Sequence, residues 1–302
     1  MSARPPTDER LRRYIGRRMT APEEVRLAAG RVTVFTTPAP LPDRRNEDGA
    51  LIAELPGKRV VLAIADGAGG LPAGAKASQV ALDAFARALF EAVEAAGSGE
   101  PAGSGGQGER SKGSDDLRGG VLNGFEAANH AVLGLATGAA TTLVACVIDA
   151  GRLRAFHVGD SGILVTGLRG KRKLETISHS PVGYAVEAGV ISEEEALLHE
   201  DRHLVSNLVG AEDMRIEIGP SLRLDRYDTV LLASDGLLDN LTPESIVDTI
   251  RKGKLLRASS SLAEACTARM SDDAAPPSKV DDITFLAFRP APSTIARRRN
   301  GT

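Results

Sequence analysis

A run of apolar, partly β-branched residues, Val60-Val61-Leu62-Ala63-Ile64-Ala65, ends abruptly in Asp66, with glycines at 67, 69 and 70. The run predicts a buried strand. The glycines let the backbone turn tightly beyond it. Thr229-Val230-Leu231-Leu232-Ala233 repeats the pattern and runs into Ser234-Asp235-Gly236. A carboxylate at the mouth of a core strand is held on a rigid scaffold, as a site of hard oxygen ligands requires. Taken singly, each Asp fits equally well as a residue that only starts a turn.

The remaining strands carry acids in the same place. Arg31 to Thr36 alternates, and a Pro-rich turn then leads to Glu47 and Asp48, just before Leu51-Ile52-Ala53. Adjacent residues of an extended chain point to opposite faces, so at most one of the two meets a shared metal directly. Thr141 to Ile148, Arg152 to Val158 and Ile163 to Val165 read as three strands of an antiparallel meander, with Asp160 in the second turn. Asp281 and Asp282 precede a last strand, Ile283 to Phe288. Short turns argue against a parallel nucleotide-binding sheet, and no phosphate-loop motif is present.

Helical spacing covers Ser78 to Ala96 and then Leu117 to Leu135, which suits an antiparallel helical layer on a sheet. Between them Gly97 to Asp116 holds seven Gly, four Ser and a Pro, the composition of a flexible surface loop. Pro181 to Asp213 is expected to be mostly helical, with a capping box from Ser192 to Glu195. His199 and His203 are four apart, but a solvated face is the simpler reading than zinc. Thr242-Pro243 caps and opens another helix.

Residues 1–30 carry Arg10, Arg12, Arg13, Arg17 and Arg18 and read as a basic extension, with Pro22 opening a short helix through Leu27. Arg297, Arg298 and Arg299 mark an unstructured basic tail over 291–302. The net charge of -3 over 302 residues offers no field for nucleic acid. Two cysteines are too few for a disulfide framework, and Cys146 reads as a small core residue. No stretch approaches the ~18 apolar residues of a membrane span, and no secretory signal opens the chain, so a cytoplasmic monomer is expected.

Acids at Glu47, Asp48, Asp66, Asp160, Asp235, Asp281 and Asp282 cannot converge uncompensated, because their repulsion would raise their pKa values. Divalent cations relieve that repulsion, and an all-oxygen set favours Mg²⁺ or Mn²⁺ over zinc. Two such ions can activate one water for phosphate ester hydrolysis.

In order along the chain, RRNEDG (44–49), ADGAGGLPAGAKAS (65–78), ATTLVA (140–145), HVGDSG (157–162), ASDGLLD (233–239) and DDITFLAF (281–288) resemble the motifs of metal-dependent protein phosphatases. This is the PPM or type 2C family, and the likeness is to its bacterial members. SPVGYAVEAGVISEEEA (180–196) resembles the family's flap, here taken as 180–213. The resemblance covers about residues 31–290 as one catalytic domain. It implies an α-β-β-α sandwich of two antiparallel sheets. It also implies Mn²⁺- or Mg²⁺-dependent hydrolysis of phosphoserine and phosphothreonine in proteins by a metal-bridging water, with two or three ions.

By position, the resemblance assigns Asp66 to both metals, with the Gly67 carbonyl on one of them. Asp235 and Asp281 fall on the second, Glu47 and Asp48 bind directly or through water, and Asp160 lies near a third. The family's phosphate-clamping Arg is replaced by Asp43, so Arg44 or Arg45 must take that role. Gly162 and Leu71 stand where Arg and His are usual. Ala68 holds the place of a protonating His, and Asp282 replaces an Asn. The departure at Asp43 keeps a second reading open, a pseudophosphatase that binds a phosphoprotein or kinase; a third is a small-molecule phosphatase of the same fold.

Overall fold

The structure, a computed structural model, describes residues 10–68, 73–97, 108–271 and 277–291. Gly69, Gly70, Leu71, residues 98–107 of the Gly/Ser-rich stretch and the Arg297–Arg299 tail lie outside the described residues. Two antiparallel sheets face each other. The first runs, in spatial order, β1 (Leu11–Ile15), β4 (Gly49–Leu55), β5 (Arg59–Ala65), β8 (Leu143–Asp149), β9 (Arg152–Val158) and β12 (Glu217–Ile218), and β13 (Leu222–Arg223) also pairs with β9. The second runs β11 (Arg172–Glu175), β10 (Gly162–Thr166), β14 (Thr229–Ala233), β15 (Ile283–Pro290), β3 (Gly30–Thr37) and β2 (Glu23–Leu27). A two-residue ribbon joins β6 (Gly67–Ala68) to β7 (Ala140–Thr141).

The period of two in the central strands decides the layering. In β5, Val60, Leu62 and Ile64 enter the core between the sheets, while Val61, Ala63 and Ala65 enter the core under the helices α1 (Ala73–Gly97) and α2 (Gly108–Leu133). β8 divides in the same way, with Val144, Cys146 and Ile148 on one side and Leu143, Ala145 and Val147 on the other. Both strands are apolar without interruption because both of their faces are covered. Phe85 of α1 and Phe125 of α2 lock the helical layer edge to face, with centroids 5.7 Å apart. On the far side α6 (Pro243–Ile250) and α7 (Leu255–Arg269) pack on the second sheet through Ile246, Ile250, Leu262 and Cys266. The result is the expected α-β-β-α sandwich. Cys146 and Cys266 are free and buried, and burial pushes each thiol up to about 12.

Four expectations are corrected. Residues 10–30 are integral to the fold: β1 is the outer strand beside β4, and β2 is the outer strand beside β3. Glu23–Leu27 forms that strand where a helix was expected. Five residues are too few to sustain a helix alone, whereas in the sheet Val25 is buried and pairs with Val32. The three-strand meander stops after β9, because β10 pairs with β11 and β14 in the other sheet. Gly159 makes that crossing at φ +106, and a Cβ there would lie 2.6 Å from Thr142. Finally, α2 already begins at Gly108, inside the stretch expected to be loop. Once Leu117 to Val132 is packed, extending a helix adds one bond per residue fixed.

The flap holds α3 (Pro181–Glu187), α4 (Glu193–Leu198) and a 3-10 turn at Glu200–His203. The Ser192–Glu195 capping box is present, as is the Thr242 cap of α6. His199 and His203 do not share a helix face, because α4 ends at Leu198. No helix among the described residues is long and apolar enough to cross a membrane.

Candidate functional site

The acids meet at one end of the sandwich, each placed by a local device. Asp66 closes β5; its carbonyl accepts from Thr142 N at 2.8 Å and Thr141 Oγ1 at 2.7 Å, while its N–H donates to Thr142 Oγ1 at 3.1 Å. Gly67 and Gly74 pass so closely that a Cβ on either would overlap the other's backbone, and one on Gly74 would also overlap the Glu47 carboxylate. Asp160 follows Gly159 in the crossing between the sheets. Asp235 opens the short helix α5 (Asp235–Leu238), and Ser234 before it uses its hydroxyl elsewhere than on the helix's first turn. Ser234 Oγ donates to Asp48 Oδ2 at 2.8 Å and accepts from Thr284 N at 3.1 Å, tying three strand ends together. Asp281 receives the N–H of Asp282 on Oδ1 at 2.9 Å.

Glu47, Asp66, Gly67, Asp160, Asp235 and Asp281 line one cavity of about 280 Å³, together with Arg44, Lys279 and His203 of the flap. Asp48 is buried one layer behind, on Ser234. Arg44 Nη2 lies 3.4 Å from Glu47 Oε1, and the Arg44 carbonyl accepts from Arg18 Nη2 at 3.0 Å. Asp43, at φ +55, makes the left-handed step after the Pro-rich turn. Arg45 is exposed and is not part of the cavity wall. A second, more apolar cavity of about 300 Å³ under the flap meets the first at Asp160 and Asp235.

So many carboxylates in one buried place raise one another's pKa values. Asp66 stands well above the usual range, first through burial and then through the charges of Asp48, Asp235, Asp160 and Asp281. Burial, then Asp235 and Asp239, pushes Asp160 up to about 8. Asp239 rises to about 6 through burial and Asp235. Asp48, Asp281 and Glu47 are all raised, each chiefly by burial. Asp48 Oδ1 and Asp235 Oδ1 are buried and accept no hydrogen bond, while Glu47 Oε1 and Asp239 Oδ2 are buried beside Arg44 at 3.4 Å and Lys279 at 3.1 Å. Orphaned acceptors of one sign, all oxygen, on a rigid frame, fit a divalent cation such as Mg²⁺ or Mn²⁺.

Asp282 has a different task from its neighbour. Its Oδ1 accepts from Ala39 N at 2.8 Å and its Oδ2 from Glu47 N at 2.6 Å. The carboxylate thus uses both oxygens on backbone, a pairing that an asparagine amide, with one acceptor, cannot reproduce.

Two features carry no sequence signal of their own. Lys279 places its ammonium against Asp235 Oδ2, 3.1 Å from Asp239 Oδ2 and 3.2 Å from Asp281 Oδ2. Burial alone would push this lysine down, but Asp235, Asp239 and Asp281 together push it up. His157 and His179 stack with centroids 4.3 Å apart beside Glu217, their ligand atoms within 4.8 Å of one another. A metal fits that trio poorly. His179 Nδ1 accepts from Gly159 N at 3.1 Å, so its proton sits on Nε2 and faces Glu217 Oε2 at 3.2 Å. Near-parallel rings do not converge their lone pairs on one point. The trio instead fastens the base of the flap to β9.

A family model described as Protein phosphatase 2C matches residues 43–267. The serine/threonine phosphatase stp of Listeria innocua is 27% identical over 216 residues, covering 69% of this chain and 78% of that protein. Other curated serine/threonine phosphatases are matched over less than half of their own length, at 46% and 37%. Among solved structures, Stp1 of Staphylococcus aureus superposes with a TM-score of 0.69 at 24% identity, over 92% of this chain and all (100%) of that one. The catalytic domain of PstP, solved with two manganese ions, gives 0.61 at 24%, over 86% of this chain and 98% of its own. At that identity the two structures speak for the fold.

Proposed function

The chain belongs to the protein phosphatase 2C family, and on that footing we infer that it hydrolyses phosphoserine and phosphothreonine esters of proteins with Mn²⁺ or Mg²⁺. The convergence of Glu47, Asp66, Gly67, Asp160, Asp235 and Asp281 on one cavity wall carries this reading. Asp66, Asp235 and Asp281 are the residues that would hold the ions most directly, with the Gly67 carbonyl and Glu47 beside them. Asp160 stands next to Asp235 for a further ion, and Asp48 supports from behind through Ser234. When bound, such ions act as Lewis acids toward phosphate and make a water nucleophilic near neutral pH.

The chain's own residues supply the frame. The strand ends fix the carboxylates before any ion arrives, so little reorganisation is left for the reaction. Arg44 faces the cavity with its Nε buried and unbonded and its Nη2 beside Glu47 Oε1 at 3.4 Å, within the cavity where a substrate's phosphate oxygens would meet the guanidinium fork. The role expected of Arg44 or Arg45 therefore falls to Arg44. His203, Val205 and Leu208 of the flap also line the cavity.

The test is turnover of a phosphothreonine peptide with Mn²⁺, with and without chelator, in the wild type and in Asp66→Asn. Phosphate release that needs the ion and is lost in the variant is expected. No release with any divalent ion from folded protein overturns the reading.

A further inference from the structure

Lys279 is fixed in the acid cluster by more than its charge. Its backbone N–H donates to Asn240 Oδ1 at 2.9 Å, and its carbonyl accepts from Asn240 Nδ2 at 2.8 Å. The same Asn240 amide donates to Gly236 O at 2.8 Å, which ties Lys279 to the helix that begins with Asp235. Asn240 is fully buried. One residue earlier, the Ser278 carbonyl accepts from Arg202 Nη2 of the flap at 3.1 Å, and Ser278 Oγ donates to Arg269 O at 2.6 Å. The peptide on which Lys279 stands is therefore held from α5, from the flap and from the end of α7. Its ammonium touches Asp235, Asp239 and Asp281, two of which are the acids assigned above to direct ion binding.

A cation cannot be held by those carboxylates in two copies at one point. Where the ammonium sits, a divalent ion has to displace it, and the displaced group is tethered by a rigid peptide close by. We propose that Lys279 is a built-in cation of this centre, which competes with divalent ions for the Asp235–Asp239–Asp281 side and leaves the Glu47–Asp66–Gly67 side as the tighter ion site. The proposal rests on the reading of the cluster as a divalent-ion site. It gives the metal-poor protein a compensated, folded acid cluster. It also makes complete loading of the centre a function of ion concentration.

The experiment is calorimetric titration of the chelator-stripped full chain with Mn²⁺, for the wild type, Lys279→Met and Lys279→Arg. Met keeps the aliphatic stem without the charge, and Arg keeps the charge. The wild type is expected to show one tighter and one weaker phase. Lys279→Met should strengthen the weaker phase by about ten-fold or more in Kd, and Lys279→Arg should leave it weak. Melting curves give a readout independent of the titration and of turnover. Without ions Lys279→Met melts below the wild type, since three acids then lack their cation, and Mn²⁺ raises its Tm by more than it raises the wild type's. Equal isotherms and equal Mn²⁺-induced shifts in wild type and Lys279→Met overturn the proposal while leaving the ion site intact. Absence of Mn²⁺ binding in all three folded proteins overturns the ion-site reading, and the lysine's role with it.

Discussion

Replacing Asp282 by alanine removes the acceptor from two buried backbone donors at once. Its carboxylate takes the N–H groups of Ala39 and Glu47 at 2.8 and 2.6 Å, and the residue is only 3% exposed. Each orphaned donor costs about 1–3 kcal/mol, so the gross loss is about 2–6 kcal/mol. Part of it is returned, because burial raises the pKa of Asp282, and its charge in turn raises that of Asp48. The net destabilisation expected for Asp282→Ala is about 2–4 kcal/mol. Asp282→Asn keeps one acceptor, turns an amide N–H toward the other donor, and removes the charge; about 1–2 kcal/mol is expected. Urea unfolding of the chelator-stripped protein measures both, with unchanged m-values required for the comparison. Glu47 loses its backbone anchor in the alanine variant, so Mn²⁺ affinity should fall as well. An Asp282→Ala variant within about 0.5 kcal/mol of the wild type would show that these two bonds do not hold the loop, and would refute the reasoning.

Arg44→Ala should lower kcat/KM for a phosphopeptide by about 10–100-fold, the worth of a charge-assisted pair, and Arg45→Ala by less than about two-fold. Equal losses in the two variants would place both side chains on the phosphate. For the buried His157, burial pushes the pKa below 6.5, while the bond to Ile177 O pulls it back in part. A histidine whose folded pKa is depressed stabilises the fold above its unfolded pKa and loses that contribution as pH falls through it. The contribution of His157 should therefore fall as pH drops below about 6.5, by up to about 1.4 kcal/mol per pH unit, against the opposite slope of the raised acids Asp66, Asp160 and Asp239. In urea unfolding of the chelator-stripped protein below about pH 6.5, His157→Gln should gain more stability on acidification than the wild type, and an unchanged slope would remove His157 from the account.

The central strands were legible because their signals are local, whereas the division into two facing sheets came only from the resemblance. β5, β8, β14 and β15 are apolar runs that name their own state, and Asp66, Asp235 and Asp281 fall where strands of the two sheets finish or begin. The Ser192 and Thr242 caps were readable for the same reason, since each bonds within three residues. The N-terminal strands were not legible. Leu11–Ile15 and Glu23–Leu27 are short, Arg-bearing and mixed, and their structure comes from pairing with β4 and β3. The crossing at Gly159 was hidden too. A tight turn with glycine looks alike whether the next strand returns to the same sheet or passes to the facing one. Only the pairing of Gly162–Thr166 with β14 distinguishes the two.

That crossing also explains why the site could be guessed by residue but not by charge balance. It carries Asp160 out of the first sheet and sets it beside Asp235 of the second, so acids from both sheets share one cavity. Counting acids at strand ends predicts repulsion and hence a cation. It cannot tell which acids spend their charge elsewhere, nor which cation answers the rest. Asp281 and Asp282 are adjacent in sequence, yet one lines the cavity and the other holds the backbone of Ala39 and Glu47. Lys279, two residues before Asp281, reads as any surface lysine until Asn240 fixes its peptide and the ammonium falls among three carboxylates. The acids define where positive charge is needed, and the contacts that supply it are set by residues distant in the chain. On the proposal above, the charge the fold already provides competes with the ions that a count of acids calls for.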